Sequence, residues 1–246
     1  RQVQLTAPDY TLPWDKVKDV VSEKTKLIII NTPHNPSGYV WTKDDFKALK
    51  AVVKNTSAYI LSDEVYEYMV FDGKRHISIC EDEELADRSI ITCSFGKTYH
   101  VTGWKLGYAV AAKPIMAEFR KVHQYNVFCV NHPLQYALSQ LLEDSSHYLQ
   151  LSDFYQNKRD YFLKLVKDSK FNFLPTQGTY FQMADYTGIS DLQDTEFCLE
   201  LIKKHKLAAI PISVFNQKNL QQGFIRFCFA KTDETLEKAA EIINKL

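Results

Sequence analysis

The chain has 246 residues, of which 45% are hydrophobic and 24% are charged, and its 30 basic side chains balance its 30 acidic ones. Such a chain can bury a core of its own, and its length falls between one large domain and two. Zero net charge argues against nucleic acid or anionic membrane as a partner, and no apolar run approaches the roughly 18 residues of a membrane span.

Extended apolar runs alternate with helical patterns in the first half of the chain, which is typical of βαβ units and a largely parallel sheet. Thr42 is predicted to cap a helix, because Asp44 and Asp45 fill its first turn and apolar residues recur on one face. A later helix is expected at 114–124, with Pro114 in its first turn. Strands are predicted at 26–30, 58–62, 89–93 and 106–110.

The pattern changes from about His132, where long helices become frequent. Helices are predicted at 134–142, 151–166, 195–204 and from Thr232, strands at 178–183 and 224–229, and a short apolar run at 208–210. This mixed order suits a smaller α+β domain. We therefore expect an α/β fold, with a mainly parallel sheet and flanking helices in residues 1–140 and an α+β domain in 141–246. The boundary is expected within one long helix near 130–150.

Three polar residues follow the first three predicted strands: Asn35, Asp63 and Lys97. In an open parallel sheet the ligand crevice lies beyond the carboxyl ends of the strands, so all three side chains are expected to point into one pocket. A lysine amine condenses with an aldehyde only as the neutral base, and the mouth of a buried sheet can lower its pKa. The arrangement therefore indicates a Schiff-base site for a cofactor.

The neighbouring residues fit a pyridine ring that carries a phosphate. Asp63 could keep a ring nitrogen protonated, which makes the ring a better electron sink. Tyr66 and Asn35 could both hydrogen-bond an oxygen on the same ring. Ser94 and Lys105 would suit a phosphate, the serine through its hydroxyl and the lysine as a point charge.

Arg226 lies in the middle of an otherwise apolar strand. A buried guanidinium needs an anion, and its forked donors fit a substrate carboxylate. Structural interpretations stay open at this point: Asn35 as part of a turn, Asp63 as a helix cap, Lys97 as a surface residue, Tyr66 at the rim of the core, and Arg226 paired with an internal acid.

A nucleotide-binding loop and a metal or disulfide site are both disfavoured. Gly96-Lys97-Thr98 resembles the end of a P-loop, but Ile91 stands where that motif needs its first glycine. The cysteines are odd in number and form no C-x-x-C pair, so we expect buried reduced thiols at Cys80, Cys93, Cys129, Cys198 and Cys228. No metal is expected. The N-terminus lacks the pattern of a signal peptide, and we expect a cytoplasmic protein.

Taken together, the segments 35–38 (Asn-Pro-Ser-Gly), 62–66 (Ser-Asp-Glu-Val-Tyr) and 94–108 resemble fold type I, class I and II pyridoxal-phosphate aminotransferases. The resemblance continues through Gly178-Thr179-Tyr180-Phe181 and Arg226 almost to the C-terminus. Within the family the chain is most similar to the kynurenine/glutamine transaminase and bacterial methionine aminotransferase branch, in which lysine follows Thr-Gly-Trp, as Lys105 does here.

The resemblance implies a role for each candidate residue and pyridoxal 5'-phosphate as the cofactor. Lys97 would hold the cofactor as an internal aldimine and then carry the proton during catalysis. The other implied contacts are Asp63 with the pyridine nitrogen, Asn35 and Tyr66 with the ring oxygen, Ser94 and Lys105 with the phosphate, and Arg226 with the substrate α-carboxylate. Phe128 and Tyr125 would line a hydrophobic substrate pocket, although core or interface packing explains them equally well.

The implied activity is transamination between an aromatic, methionine- or glutamine-type L-amino acid and a 2-oxo acid, in a homodimer. Two alternatives stay open: a carbon–sulfur β-lyase on the same scaffold, and an inactive fragment or binding module. In the family a substantial N-terminal portion precedes the first strand seen here. We therefore expect the chain to be a fragment that leaves apolar surface exposed at the sheet edge, and we assign the activity to the intact parent.

Overall fold

A computed structural model describes residues 1–174 and 176–246, and these residues form two compact units. The parallel-sheet unit comprises Pro13–Pro33 and Val40–Ser152. The antiparallel-sheet unit comprises Arg1–Leu12, His34–Tyr39 and Asp153–Leu246. The antiparallel-sheet unit thus includes two N-terminal segments as well as the C-terminal part of the chain. The division of the intact protein into domains 1–140 and 141–246 stays a prediction.

The sheet of the parallel-sheet unit has four strands in the order of the sequence. They are β1 (Leu27–Asn31), β2 (Tyr59–Asp63), β3 (Ser89–Ser94) and β4 (Gly107–Ala111). β1, β2 and β3 are mutually parallel, and β4 pairs antiparallel to β3. The register places Asn31 beside Asp63 and Asp63 beside Thr92. The predicted mainly parallel sheet is confirmed.

Burial alternates along these strands because successive side chains point to opposite faces of a sheet. On one face, Ile60 is fully buried and Ile30 and Ile91 are almost so. On the other, Leu27, Ile29 and Tyr59 are 48%, 68% and 51% exposed. A parallel sheet usually buries both faces, whereas one face of this sheet leaves apolar side chains exposed. The sequence had predicted exposed apolar surface at an edge of the sheet.

Thr42 caps the helix Lys43–Val53 as predicted, since its hydroxyl accepts from the amide of Asp45 while the Asp45 carboxylate accepts from the amide of Thr42. The other helices of this unit are Trp14–Val20, Glu83–Ala86, Phe95–Thr98, Lys113–Asn126, His132–Leu141 and Ser146–Leu149. The single long helix expected near 130–150 is wrong: two helices occupy that segment, and a third begins at Leu151. The helices predicted at 134–142 and 151–166 are confirmed to within two residues, whereas the short helix Ser146–Leu149 between them was not predicted.

The sheet of the antiparallel-sheet unit has the order β5-β6-β8-β7. Its strands are β5 (Asn172–Leu174), β6 (Phe181–Asp185), β7 (Ile210–Pro211) and β8 (Phe224–Cys228). Every pair in it is antiparallel. The helix Leu151–Leu165 runs into this unit, which also contains the helices Asp194–His205 and Asp233–Ile243. Each lies within a residue or two of its predicted position.

Aromatic side chains fill the core of the antiparallel-sheet unit. The Phe171 ring lies 5.7 Å from that of Phe227 and 6.3 Å from that of Phe197, centroid to centroid. Such pairs add about 0.5–1.5 kcal/mol beyond their buried area.

In the described part of the chain no helix is both long and apolar enough to cross a membrane. All five cysteines are free, but only Cys93 and Cys198 are buried; Cys228 is partly buried and Cys80 and Cys129 are exposed, so the expectation of buried thiols is wrong for the last two.

Candidate active site

Asp63 ends β2, and its backbone is held by the two neighbouring strands. Its carbonyl accepts from the Thr32 amide at 3.1 Å and from Asn31 Nδ2 at 2.9 Å. The next amide, that of Glu64, donates to the Thr92 carbonyl at 2.9 Å. Pairing on both sides therefore continues to the end of β2, which fixes the direction in which the Asp63 side chain leaves the sheet.

The Asp63 carboxyl is partly buried beside a cation. Burial raises the pKa of Asp63, and the amide of Val65 at 3.3 Å from Oδ1 and the positive charge of Lys97 offset part of that rise. A carboxylate that is short of solvent has much to gain from a further cation or N–H donor. Asp63 is thus suited to hold a protonated ring nitrogen.

Lys97 stands in the short helix Phe95–Thr98, directly after β3. Gly96 allows this helix to approach the 3₁₀ turn Thr102–Trp104, because a Cβ at Gly96 would lie 2.8 Å from the Thr102 Cα. The Thr102 hydroxyl also donates to the Gly96 carbonyl at 3.1 Å. These two close approaches fix the backbone that carries the lysine.

Tyr66 brings a phenol to the same strand ends. Its side chain is only 3% exposed, and Nζ of Lys97 lies 6.0 Å from its ring centroid. The parallel-sheet unit therefore brings an acid, an amine and a phenol to the adjacent carboxyl ends of β2 and β3. The single pocket predicted for Asn35, Asp63 and Lys97 stays a prediction, because Asn35 belongs to the other unit.

Ser94 and Lys105 flank this group along the chain. Ser94 is the last residue of β3 and precedes the Phe95–Thr98 helix. Lys105 ends the Thr102–Trp104 turn in the left-handed region, with φ of 56°, and its side chain is exposed. Both belong to the segment that carries Lys97, and their predicted contact with a phosphate stays a prediction.

Phe128 and Tyr125 lie near the end of the Lys113–Asn126 helix and are 79% and 88% exposed. Neither ring packs into a core within the described residues. Their assignment to a substrate pocket or to an interface stays open.

Asn35 and Arg226 belong to the antiparallel-sheet unit. Nη1 of Arg226 donates to Oδ1 of Asn35 at 2.5 Å. The guanidinium lies 3.9 Å above the Phe181 ring centroid and 5.5 Å from that of Phe215. The rings hold the cation by attraction to the π-face, and the amide fixes its orientation.

The loop that carries Asn35 packs against the segment that contains Thr176. Gly38 has φ of +74°, and a Cβ there would lie 1.8 Å from Oγ1 of Thr176 and 2.9 Å from the Gly178 carbonyl oxygen. Buried Arg159 donates through Nη1 to the Thr176 carbonyl at 2.9 Å. Only glycine fits this close approach, which gives the Asn-Pro-Ser-Gly segment a structural reason for its last residue.

Sequence reasoning missed three features of these sites. The contacts of Phe181 and Phe215 with the guanidinium were not predicted, because pairing of β6 with β8 brings Phe181 near Arg226 and the 3₁₀ turn Ser213–Phe215 brings Phe215 there. The third is a buried contact between Glu64 and His76, 2.7 Å from Oε2 to Nε2. An acidic residue directly after a predicted buried strand, two positions from Ser62 and on the same side of the chain, was the signal that could have revealed it.

Comparison with known proteins finds matches along the whole chain. The family model described as "Aminotransferase class I and II" matches residues 1–243. Methionine aminotransferase of Escherichia coli is 45% identical over an alignment of 247 positions that covers 100% of this chain and 64% of that protein. Kynurenine–oxoglutarate transaminase 3 of Homo sapiens is 33% identical, over 97% of this chain and 57% of that protein. The chain thus spans about three fifths of the length of these relatives.

Solved structures give the same result. A crystal structure of an Escherichia coli protein with a methionine aminotransferase function aligns with a TM-score of 0.97 and 45% identity, covering 100% of this chain and 65% of that one. N-Succinyldiaminopimelate aminotransferase from Mycobacterium tuberculosis aligns with a TM-score of 0.90 and 31% identity, covering 95% and 62%.

Proposed function

The chain belongs to the class I and II aminotransferase family, and we propose that the protein carrying it transfers an amino group between an L-amino acid and a 2-oxo acid with pyridoxal 5'-phosphate. The observation that carries the proposal is the grouping of Lys97, Asp63 and Tyr66 at the ends of β2 and β3. Family membership adds to it, but the grouping supplies the chemistry.

The donor set of the parallel-sheet unit fits this cofactor. Asp63 is a partly desolvated carboxyl that a pyridinium N–H would satisfy. Lys97 supplies the amine, Tyr66 supplies a phenol for the ring oxygen, and Ser94 and Lys105 supply a hydroxyl and a cation for the phosphate. When bound, the cofactor supplies an aldehyde carbon for the amine and a ring that accepts an electron pair.

Lys97 would serve as both anchor and base. Its Nζ would bind the aldehyde carbon at rest and, once displaced by the amino acid, would take the proton from the substrate Cα. Asp63 would keep the ring nitrogen protonated throughout. The contacts of Gly96 with Thr102 fix the backbone that carries the lysine, so the starting point of its side chain is set before substrate arrives.

Arg226 would orient the substrate through its α-carboxylate. A guanidinium can bind both oxygens of a carboxylate with two parallel hydrogen bonds, which fixes the rotation of the Cα–H bond. Phe181 keeps the head group in place from below. The family resemblance also assigns Asn35, which accepts from Arg226, to the ring oxygen.

The substrate class is proposed from the relatives. The homodimer, the location and the pocket residue are proposed from the family resemblance. Methionine and kynurenine are the donors named for two relatives, and aromatic or glutamine-type amino acids extend the same set. A homodimer, a cytoplasmic location, and a substrate-pocket role for Phe128 complete the proposal. Nothing in the structure favours the carbon–sulfur β-lyase.

The test is an absorbance titration of the purified full-length protein with pyridoxal phosphate, followed by methionine, phenylalanine, glutamine and kynurenine. Formation of a lysine-bound absorbance band, its loss on adding a donor, and release of the matching 2-oxo acid are expected. Lys97→Ala should lack the band and lose at least about 10⁴-fold in turnover. Full turnover by that variant would overturn the proposal, and ammonia with pyruvate from a cysteine conjugate would favour the lyase.

A further inference from the structure

Glu64 is a buried carboxylate that the proposed chemistry does not use. It follows Asp63 directly and is 1% exposed. Ser62, two residues earlier, donates its hydroxyl to Oε1 at 2.8 Å. Because successive side chains of an extended chain point to opposite sides, Ser62 and Glu64 share one side while Asp63 points to the other.

Two further donors reach Glu64 from a later segment. The amide of Ile79 donates to Oε1 at 3.1 Å, and His76 Nε2 lies 2.7 Å from Oε2. A carboxylate can only accept hydrogen bonds, so Nε2 of His76 carries the proton. Burial alone would raise the pKa of Glu64, but the hydrogen bond and charge of His76, with Ser62 and Ile79, outweigh burial and hold that pKa below its usual value.

These contacts clamp the turn that presents Asp63 and Tyr66. On the sheet side, the Glu64 amide is bonded to the Thr92 carbonyl of β3. On the other side, the Glu64 carboxylate ties the turn to the segment that contains His76 and Ile79. Within the turn, the Glu64 carbonyl accepts from the Glu67 amide at 2.9 Å. Glu64 is thus anchored from three directions; Asp63 directly precedes it, and Tyr66 follows two residues later.

We infer that Glu64 and His76 form a positioning pair, which fixes the Asp63–Tyr66 turn so that the carboxyl and the phenol meet the cofactor ring in one geometry. The inference rests on the proposed function for its ligand. A buried, paired carboxylate contributes little net stability compared with an apolar residue of similar size. Its use is therefore better explained by the geometry that it imposes on its neighbour than by stability alone.

The test compares variants that keep or remove the donor to Glu64. His76→Phe removes it and keeps a ring, while His76→Gln places an amide nitrogen near the position of Nε2 and should restore the contact. Glu64→Gln removes the charge. Arg75→Gln is the matched control: Arg75 pairs with Glu81 at 2.7 Å through exposed side chains and donates to the His76 backbone carbonyl at 3.2 Å, so its loss perturbs the same segment while the His76 ring that donates to Glu64 is kept.

Two readouts are measured on the full-length protein. The first is pyridoxal phosphate affinity together with the pH midpoint of the lysine-bound absorbance change, which senses how Asp63 meets the ring. His76→Phe and Glu64→Gln should weaken binding on the order of tenfold, as loss of an outer-shell partner does at metal sites, and shift the midpoint. His76→Gln and Arg75→Gln should resemble the wild type.

The second readout is hydrogen exchange of the cofactor-free protein. Amides 63–67 should exchange faster in His76→Phe than in Arg75→Gln. Wild-type affinity and midpoint in His76→Phe would overturn the inference and leave the pair a stabilising contact only. Should His76→Phe fail to fold, equal behaviour of His76→Gln and His76→Asn, whose shorter side chain cannot reach, would overturn it instead. A wild type that never binds pyridoxal phosphate would refute the proposed function, whereas exchange would still test the clamp.

Discussion

Asp63 and Lys97 stand where strands of the parallel-sheet unit end, whereas Arg226 stands in the middle of a strand of the antiparallel-sheet unit. At a strand end the backbone leaves the sheet, so a charged side chain can reach solvent or ligand without entering the core. A charge in mid-strand has packed neighbours on both sides. Arg226 is accordingly held by the Phe181 ring and the Asn35 amide.

The comparison separates two ways of orienting a functional side chain. In the parallel-sheet unit, backbone pairing across β1, β2 and β3 sets the direction of Asp63, and the side chain is left available. In the antiparallel-sheet unit, side-chain contacts set the direction of Arg226. A substitution of Asp63 should therefore change chemistry and leave the fold intact, while a substitution near Arg226 should also disturb its surroundings.

Asp63→Asn tests a side chain whose direction is set by backbone pairing at a strand end, and it should have the largest effect on turnover. The neutral amide cannot hold a protonated ring nitrogen, so turnover should fall about 10²–10³-fold, the range seen when one preorganised electrostatic group is removed. Steady-state kinetics with methionine would measure the loss. Asp63→Glu, which keeps the charge, should retain more activity, and equal losses in both variants would show that position matters more than charge.

Arg226→Lys tests a side chain in the middle of a strand, whose direction is set by side-chain contacts. Lysine keeps the charge but loses the planar fork and its stacking on Phe181, so kcat/KM for the amino acid should fall about 10–100-fold, with most of the change in KM. Phe181→Leu should give a smaller loss of transition-state stabilisation, of about 0.5–2 kcal/mol, because only the contact between the ring and the guanidinium is removed. A larger loss from Phe181→Leu than from Arg226→Lys would contradict this explanation.

Two glycines with positive φ offer a matched pair across the units. Gly73→Ala should cost about 1 kcal/mol of unfolding free energy for the left-handed backbone alone, since nothing lies within 4 Å of a Cβ there. Gly38→Ala should cost at least about 1 kcal/mol more, because its Cβ would overlap Thr176. Urea unfolding of both variants would measure the difference. Equal losses of unfolding free energy would show that Thr176 moves aside from the added Cβ at no cost.

Acid titration distinguishes the two adjacent carboxyls of the parallel-sheet unit and should give the smallest effect. The pKa of Glu64 is lowered on folding, so its stabilisation is complete above the unfolded value of about 4.3 and is lost as pH falls through the folded pKa. The pKa of Asp63 is raised, so its ionised form opposes folding at neutral pH. The cofactor-free Asp63→Asn protein should therefore be more stable than wild type at pH 7.

Glu64→Gln should behave in the opposite way, with lower stability at pH 7 and a flatter decline below about pH 4.3. Urea midpoints measured from pH 3 to pH 7 would test both signs. A cofactor-free Asp63→Asn protein that is less stable than wild type at pH 7 would show that Asp63 is satisfied within the fold.

Local patterns predicted most elements because their causes lie within a few residues. The Thr42 capping box, Pro114 at the start of its helix and the β1 to β3 strands depend on short-range propensity and spacing. The short helix Ser146–Leu149, between the predicted helices 134–142 and 151–166, was missed because four residues are too few to show a helical period.

The sequence by itself determined the class of sheet, the strand ends at Asp63 and Ser94, the place of Lys97 beyond them, and the family. Only the tertiary structure decided that Asn35 accepts from Arg226 across 191 residues of sequence, that Phe181 lies beneath the guanidinium, and that His76 closes on Glu64. The physical reason is range: backbone propensities act between near neighbours along the chain, whereas these contacts depend on the path the whole chain takes.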